Sequence, residues 1–281
     1  MITPSYEHYG THDSSAYPEL WEECVGAWCP WIGPTGYSVV DFSGSGKHGT
    51  ITYTTPAAFW KINQGWALDY NKNTAPPNHV LIGNAPYNVS VVATSPFTLS
   101  CWFFIRSWTG GASAEYMPHI AIGTANYQSV SMLVYIKRFG IIGSTDGATQ
   151  NVGYSGGAYY PLFNSDLNLG EWYHGAITRD VLGVYSGYVN GMYGRSQTNT
   201  SNLVLNDQTM KIGAHYALNE TYDADGFIDD ARFYRRCLAQ EEIALLARQR
   251  AIAYTPRRPR RFYSFADVSN RRRRFFLGAA A

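Results

Sequence analysis

Apolar and polar residues alternate along most of this sequence, and the alternation predicts β-strands. The runs are short and are separated by turns rich in Gly, Pro and Asn, of which Asn190-Gly191 is the strongest hairpin signal. Roughly a dozen strands at such spacing, with no helices between them, indicate an antiparallel sandwich or jelly roll. The predicted strands include Cys24–Trp28, Gly65–Tyr70, His79–Gly83, Phe97–Ile105, His119–Ile122, Val130–Ile136, Phe139–Ile142, Glu171–Arg179, Met192–Ser196, Met210–Ala214 and Gly226–Tyr234.

The last of these strands is followed by a change of period from 2 to 3.6, which predicts one short helix from about Ala239 to Arg250. Strict alternation in the strand would place Asp229 and Asp230 on opposite faces. Two adjacent acids in an apolar strand are costly to bury as bare charges. We therefore expect a cation, a metal ion or several backbone N–H donors beside at least one of them.

Composition supports a β-rich fold, because Tyr (22) and Gly (27) are abundant while Lys and Glu are sparse. Charge is divided unevenly along the chain. From Arg248 onward there are ten arginines and one acid, whereas the rest carries 12 Lys and Arg and 20 Asp and Glu. The sequence thus predicts an arm over 1–19, a domain over 20–250 and a basic, aromatic tail over 251–281.

No apolar run approaches the roughly 18 residues that a membrane span needs, and the start lacks the charged and apolar regions of a signal peptide. We expect a protein that is made in the cytoplasm and has no membrane contact. The four cysteines are too few for a disulfide-built fold. Cys24 and Cys29 could pair locally, or all four could be free thiols.

A glycine-rich loop, Phe42 to Gly49, follows Asp41. Such a loop can cradle a phosphate or form a tight turn around a cation or a backbone contact. The spacing of a phosphate-binding P-loop is absent and no helical period follows, which favours the turn.

The order of several motifs resembles a known family, the laminin-G-like, concanavalin A-type jelly rolls related to pentraxins. The motifs are Gly26-Ala27-Trp28, Asp41 to Thr50, Gly65 to Tyr70, Phe97 to Ser100, Glu171 to His174, Tyr188 to Gly191, Lys211-Ile212-Gly213 and Gly226 to Leu246. The resemblance implies an all-β fold: a two-sheet antiparallel jelly-roll sandwich with one short C-terminal helix and extended terminal arms. Ala239 departs from the Ser or Thr that usually caps that helix.

Many members of this family hold a Ca²⁺ ion with a strand aspartate and backbone carbonyls. Carried over by position, Asp229 or Asp230 is implied as a ligand, and Asp41 as a second, separate one. Ca²⁺ needs six to eight oxygens, so backbone or water oxygens would have to complete the site. The alternative is that Asp229 accepts N–H bonds from a neighbouring loop and that Asp41 caps a turn.

Related jelly rolls include glycoside hydrolases, but the Glu-x-Asp-x-x-Glu run that sets two carboxylates on one strand face is absent here. The seven histidines show no metal-binding spacing, and no Gly-x-Ser-x-Gly elbow occurs. We therefore expect a protein that is not an enzyme. A glycan-binding module is one remaining class, since Tyr154, Tyr159 and Tyr160 offer rings for stacking on sugars, although exposed tyrosines serve protein contacts equally well.

A structural interaction protein is the other class, and the two ends of the chain favour it. The tail arginines can bind an acidic partner, which the acidic body of another copy provides, while nucleic acid is a weaker expectation. A solvated tail without a partner is the alternative. The candidate docking residues are Arg257, Arg258, Arg260, Arg261, Arg271, Arg272, Arg273 and Arg274.

A laminin-G-like domain followed by an Arg-rich terminus also looks like proteins of tailed bacteriophages. This layout implies a virion protein of the capsid decoration, fibre or knob type. Its partners would be other virion proteins, copies of itself as a homo-oligomer, for which a trimer is favoured, and host-surface glycans. A free-standing lectin module is the alternative.

Overall fold

The computed structural model describes residues 11–12, 16–52, 59–71, 78–84, 95–108, 117–125, 128–205, 208–214 and 224–255. The tail arginines proposed for docking, from Arg257 to Arg274, lie outside these residues. None of the helices in the described ranges is both long enough and apolar enough to cross a membrane.

Strands dominate the described residues, as the sequence predicts. The strands are β1 (Thr11–His12), β2 (Cys24–Trp28), β3 (Ser38–Val39), β4 (Gly49–Thr52), β5 (Trp60–Ile62), β6 (Trp66–Tyr70), β7 (His79–Asn84), β8 (Phe97–Ile105), β9 (Met117–Ala125), β10 (Gln128–Tyr135), β11 (Arg138–Gly143), β12 (Tyr154–Ser155), β13 (Ala158–Tyr159), β14 (Trp172–Arg179), β15 (Val184–Val189), β16 (Met192–Thr198), β17 (Thr209–Ile212), β18 (Gly226–Tyr234) and β19 (Tyr254–Thr255). Within the described ranges, short 3-10 turns lie at Pro18–Leu20 and Pro30–Ile32, and an α-helix, α1, spans Gln240–Leu246.

Two antiparallel sheets form the sandwich and confirm the predicted fold class. The seven-stranded sheet has the order β11-β10-β9-β17-β7-β4-β3. The larger sheet has the order β16-β15-β14-β8-β18-β6-β5, and β2 also pairs with β18. Strands adjacent in space are often distant in sequence, which is the crossed connectivity of a jelly roll.

The core lies between the two sheets. Every second residue of β8 faces it, and Phe97, Leu99 and Phe103 are fully buried. Phe103 stacks on His119 with ring centroids 4.0 Å apart. Burial lowers the pKa of His119 to about 3, so this histidine is a neutral core residue.

Strand β18 occupies the centre of the larger sheet. It pairs with β8 on one side, and on the other side with β6 through Gly226–Ile228 and with β2 from Ala231 onward. The register with β8 shifts between Asp229 and Arg232, and Asp230 has a φ of 45°, so the strand carries a β-bulge at the change of partner.

The bulge overturns one prediction. Because it adds a residue, Ile228 and Ala231 both face the core, while Asp229 and Asp230 both reach the chain segment at Arg250 and Ala251. The prediction that the two acids lie on opposite faces is therefore wrong. They form one group on the outer side of the larger sheet.

Helix α1 is shorter than predicted and lies on the same outer side. Ile243 and Leu246 are buried against the sheet, as their spacing predicts. Ala239 offers no capping oxygen, but the Glu242 carboxylate accepts the Ala239 N–H at 2.8 Å. The helix ends at Leu246 rather than near Arg250, and the chain then folds back over the sheet.

A long stretch rich in Gly and Tyr, residues 144–168, closes one side of the sandwich. The N–H of Phe163 donates to the Phe139 carbonyl of β11, and the N–H of Arg195 in β16 donates to the Leu162 carbonyl. Leu162 is fully buried between these edge strands. The segment thus joins the edges of the two sheets, and its hairpin, β12–β13, lies before this crossing.

A separate two-stranded ribbon joins the two ends of the described chain. Thr11 pairs with Thr255 and His12 with Tyr254, in antiparallel register. Tyr254 is 6% exposed, so the packed body continues a few residues beyond 250.

Candidate functional site

Asp41 organises the glycine-rich loop that follows it. Its carboxylate accepts the backbone N–H groups of Ala27 at 3.0 Å, Ser43 at 2.9 Å and Lys47 at 2.9 Å. The Asp41 N–H in turn donates to His48 Nδ1 at 3.0 Å. The loop is therefore the tight turn that the spacing favours.

Asp230 forms a buried ion pair with Arg232. The guanidinium Nε donates to Asp230 Oδ1 at 2.8 Å, and the two side chains are 0% and 2% exposed. Asp230 Oδ2 also accepts the Ala251 N–H at 3.2 Å. This carboxylate has a cation and a backbone donor, as expected for a buried acid.

Asp229 is less completely satisfied. Its Oδ1 accepts the N–H groups of Trp31 at 3.0 Å and of Asp230 at 2.8 Å, but its Oδ2 has no hydrogen-bond partner. Burial, and then the charge of Asp230, raise its pKa to about 7, while Arg250 acts in the opposite direction. Asp229 is thus a buried carboxyl that changes protonation near neutral pH.

Arg250 covers this group from the outer side. Its guanidinium lies 4.8 Å from the Trp31 ring centroid and 3.9 Å from that of Trp172. It also donates to the Asn63 carbonyl at 2.9 Å. Gly65, with φ of 117°, makes room for the Trp31 ring, because a Cβ atom there would lie 1.7 Å from it.

The surroundings of the three predicted metal ligands do not fit a calcium ion. Asp41 shares no hydrogen-bond partner with Asp229 or Asp230, and two guanidiniums occupy the cation positions beside that pair. In the described parts of the chain, no group of three or more His, Cys, Asp or Glu could hold a metal ion. The arrangement fits the alternative, in which Asp229 Oδ1 accepts N–H bonds from a neighbouring loop and Asp41 caps a turn, and does not fit Ca²⁺.

The three tyrosines predicted to contact a glycan or a partner lie in two separate places. Tyr154 and Tyr159 face each other in the β12–β13 hairpin, with ring centroids 6.0 Å apart. Tyr160 lies apart from them, and the Arg195 guanidinium covers its ring at 3.8 Å. All three tyrosines are half-buried.

A third tyrosine, Tyr135 of β10, completes a cluster with the hairpin. Its ring centroid lies 5.0 Å from that of Tyr159, and the rings meet edge to face. We call Tyr135, Tyr154 and Tyr159 the tyrosine cluster; it packs on Leu133 and Ile142, on the outer face of the seven-stranded sheet. Alternation in Val130–Ile136 places Tyr135 opposite the inward residues Met132 and Val134, but its pairing with Tyr159 is not a local signal.

Polar side chains border the tyrosine cluster. The Tyr159 hydroxyl donates to the Arg138 carbonyl at 3.3 Å. The Arg138 side chain, 42% exposed, pairs with Asp166 at 2.9 Å and reaches Asn164 Oδ1 at 3.4 Å. Half-buried rings therefore lie next to an exposed guanidinium, a carboxylate and an amide.

All four cysteines lie in the described residues, and none of them forms a disulfide. All four are free thiols, and burial raises the pKa of Cys24 to about 12. The open question of a Cys24–Cys29 disulfide is answered in favour of thiols. Such thiols are structural rather than reactive.

Solved structures share this fold. Domain 4 of AbnA, an extracellular arabinanase from Geobacillus stearothermophilus solved with arabinotriose, matches with a TM-score of 0.59 and 15% identity, over 80% of this chain and 98% of that chain. The binding domain of Paraclostridial Mosquitocidal Protein 1 matches with a TM-score of 0.57 and 16% identity, over 81% and 52%. Trypanosoma rangeli sialidase in complex with sialic acid matches with a TM-score of 0.54 and 15% identity, over 80% and 32%.

At these identities the structural likeness establishes the fold alone. A search of curated protein sequences finds no match. A family profile, described as the concanavalin A-like lectin/glucanases superfamily, matches residues 78–244, which is more than half of the chain. This chain therefore belongs to the concanavalin A-like lectin/glucanases superfamily, in its laminin-G-like branch.

Proposed function

We propose that this protein is a non-catalytic glycan-binding domain and that the tyrosine cluster is its binding surface. The observation that carries the proposal is the convergence of Tyr135, Tyr154 and Tyr159 beside the Arg138–Asp166 pair. Aromatic rings stack on the apolar faces of sugars, and neighbouring charged and amide groups bind hydroxyls. A domain of the same fold is known in complex with arabinotriose, which adds support.

The acidic residues support a binding role rather than a hydrolytic one. Glycoside hydrolysis uses two carboxyl groups that face the same sugar. Asp229 and Asp230 do lie together, but both are buried and their oxygens face N–H donors and guanidiniums. They can hold the sheet and Arg250 in place, and a sugar cannot reach them.

A glycan array with the full-length protein tests the proposal. Tyr154→Ala and Tyr135→Ala should each reduce binding at least tenfold, because each removes a ring from the cluster. Tyr193→Ala is the matched control, since this tyrosine is 47% exposed and its ring contacts Tyr188, which lies outside the tyrosine cluster. Equal binding by all three variants, at unchanged melting temperature, would exclude the tyrosine cluster as the binding surface.

We further propose that a virion displays this domain and that the basic tail docks it there. The support comes from the sequence, in which a laminin-G-like domain precedes eight arginines between Arg257 and Arg274. Deletion of residues 256–281 should leave the described body folded but unable to join its particle. Co-sedimentation of the truncated protein with particles would contradict the docking role.

A further inference from the structure

The hairpin that carries Tyr154 and Tyr159 is too short to hold its own shape. Its strands, β12 and β13, have two residues each, and they are joined by Gly156 and Gly157, which both have a positive φ. An isolated two-stranded hairpin is at best marginally stable in water. The positions of the two tyrosine rings therefore depend on contacts from outside the hairpin.

Strand β16 makes a two-point contact at the start of this hairpin. Gln197 Oε1 accepts the Gly153 N–H at 2.8 Å, and Gln197 Nε2 donates to the Tyr154 carbonyl at 2.6 Å. Gly153 also lies against β11, because a Cβ atom there would be 1.7 Å from the Ile141 carbonyl oxygen. The backbone that leads into Tyr154 is therefore fixed between an edge strand of each sheet.

The other leg of the hairpin has its own attachment to β16. The Arg195 guanidinium covers the Tyr160 ring at 3.8 Å, and the Arg195 N–H donates to the Leu162 carbonyl at 2.8 Å. The Tyr160 N–H donates to the Gly153 carbonyl at 2.7 Å and closes the base of the hairpin. Loss of the Gln197 contact alone would therefore free the Tyr154 leg while the chain beyond Tyr160 stays attached.

We propose that Gln197 is a positioning residue of the tyrosine cluster, which holds Tyr154 beside Tyr159 and Tyr135 by fixing the backbone of the hairpin. The inference rests on the proposed glycan-binding function and adds the contact that controls the shape of that site. Both polar atoms of the Gln197 amide are bonded to backbone groups, so the side chain acts through the hairpin and not on the ligand.

The variant Gln197→Glu distinguishes this role from a role in overall stability. An ionised glutamate still accepts the Gly153 N–H but cannot donate to the Tyr154 carbonyl, whereas a protonated one does both. Relative to the wild type at the same pH, its glycan affinity should be about tenfold lower at about pH 7 and should recover at about pH 4. The charged and titratable side chains around this amide, Arg195 of β16 and Tyr154 and Tyr159 of the hairpin, are the same in both proteins.

A second variant and a control complete the affinity measurements. Gln197→Met keeps the length of the side chain but has no amide, so its affinity should be about tenfold lower at both pH values. Gln249→Glu, at an exposed position after α1, should bind as the wild type does. Failure of Gln197→Glu to recover at low pH, or recovery of Gln197→Met as well, would overturn the proposal.

Amide hydrogen exchange without any glycan separates this inference from the proposed function. Gln197→Met should speed exchange of the Gly153 amide about tenfold, because that amide loses its acceptor. The Phe163 amide, which donates to Phe139, should keep its protection. Unchanged exchange at Gly153 would overturn the role of Gln197. A wild type that binds no glycan, together with faster exchange in the variant, would contradict the glycan proposal and leave Gln197 as the residue that holds the hairpin.

Discussion

Arg250 Nη1 lies 3.7 Å from Asp229 Oδ2, and neither atom has a hydrogen-bond partner. Both side chains are nearly fully buried, at 8% and 0% exposure. The pair is thus close enough for attraction but too far apart for a hydrogen bond. Burial lowers the pKa of Arg250 and raises that of Asp229, which shows that desolvation outweighs their attraction.

Asp229 should make folding stability depend on pH. Its pKa rises from 3.8 to about 7 in the folded protein, so folding favours the protonated form. The stabilisation is complete below about pH 4 and is lost as the pH rises through about 7. Between pH 8 and pH 5 the free energy of unfolding should increase by a few kcal/mol from this group.

The variant Asp229→Asn tests whether Asp229 causes this pH dependence of stability. Asparagine keeps an oxygen for the Trp31 N–H but does not titrate, so urea unfolding of the variant should depend much less on pH in that range. If the stabilities of the wild type and the variant change in parallel from pH 5 to pH 8, Asp229 is not the group that titrates in this range.

Arg250→Lys should destabilise the protein by about 3 kcal/mol, because the planar guanidinium makes contacts that an ammonium cannot. Arg250 stacks between Trp31 and Trp172 and donates to the carbonyls of Asn63 and Gln64. Urea unfolding measures the change, and Arg248→Lys, at an exposed position nearby, is the control. Equal stability of the two variants would show that Arg250 does not clamp the outer side of the sheet.

Arg232→Ala should cost about 3–5 kcal/mol, since it leaves the Asp230 carboxylate buried without its cation. A double variant, Arg232→Met with Asp230→Leu, should recover most of this loss, because it removes both charges and fills the volume. Chemical denaturation of the three proteins gives the comparison. A double variant that is less stable than Arg232→Ala would mean that Asp230 acts through the Ala251 N–H rather than through Arg232.

Gly140→Val should disrupt the tyrosine cluster. A Cβ atom at Gly140 would lie 2.6 Å from the Tyr159 hydroxyl oxygen, which is too close for the ring to keep its place. We expect a loss of about 1–3 kcal/mol in stability and weaker glycan binding. Glycan affinity measured well below the melting temperature separates the two effects, and unchanged affinity would exclude Tyr159 from the binding surface.

Calcium should leave the melting temperature unchanged. The oxygens of Asp41, Asp230 and Asp229 Oδ1 accept N–H donors, and Asp229 Oδ2 faces the Arg250 guanidinium rather than an open coordination sphere. Differential scanning calorimetry with millimolar Ca²⁺ and with chelator makes the comparison. A midpoint shift of several degrees would require a calcium site other than the arrangement described above.

The sequence predicts the strands well where apolar residues alternate without interruption. Strands Phe97–Ile105 and Gly226–Tyr234 have the predicted bounds, and Asn190-Gly191 does form the β15–β16 turn. Each of these signals is local, because side-chain direction follows from spacing alone. The spacing of Ile243 and Leu246 likewise predicts the buried face of α1.

The candidate sites depend on contacts that no local pattern encodes. The bulge at Asp230 arises where β18 changes partner from β6 to β2, so it cannot be inferred from the strand itself. Arg250 meets Asp229 because the helix ends at Leu246, four residues earlier than predicted. Tyr135 and Tyr159 belong to separate segments and meet only after the hairpin folds onto the sheet.

The position of the ribbon also has a mechanical consequence. A pull on β19 is transmitted through Tyr254 and Ala251 to Arg232 and Asp230, so the load enters the larger sheet at its middle strand. That strand shares hydrogen bonds with β8, β2 and β6, and the force is divided among three neighbours instead of peeling an edge strand away. A tensile load applied to the domain through β19 should therefore be resisted by the hydrogen bonds of three neighbouring strands.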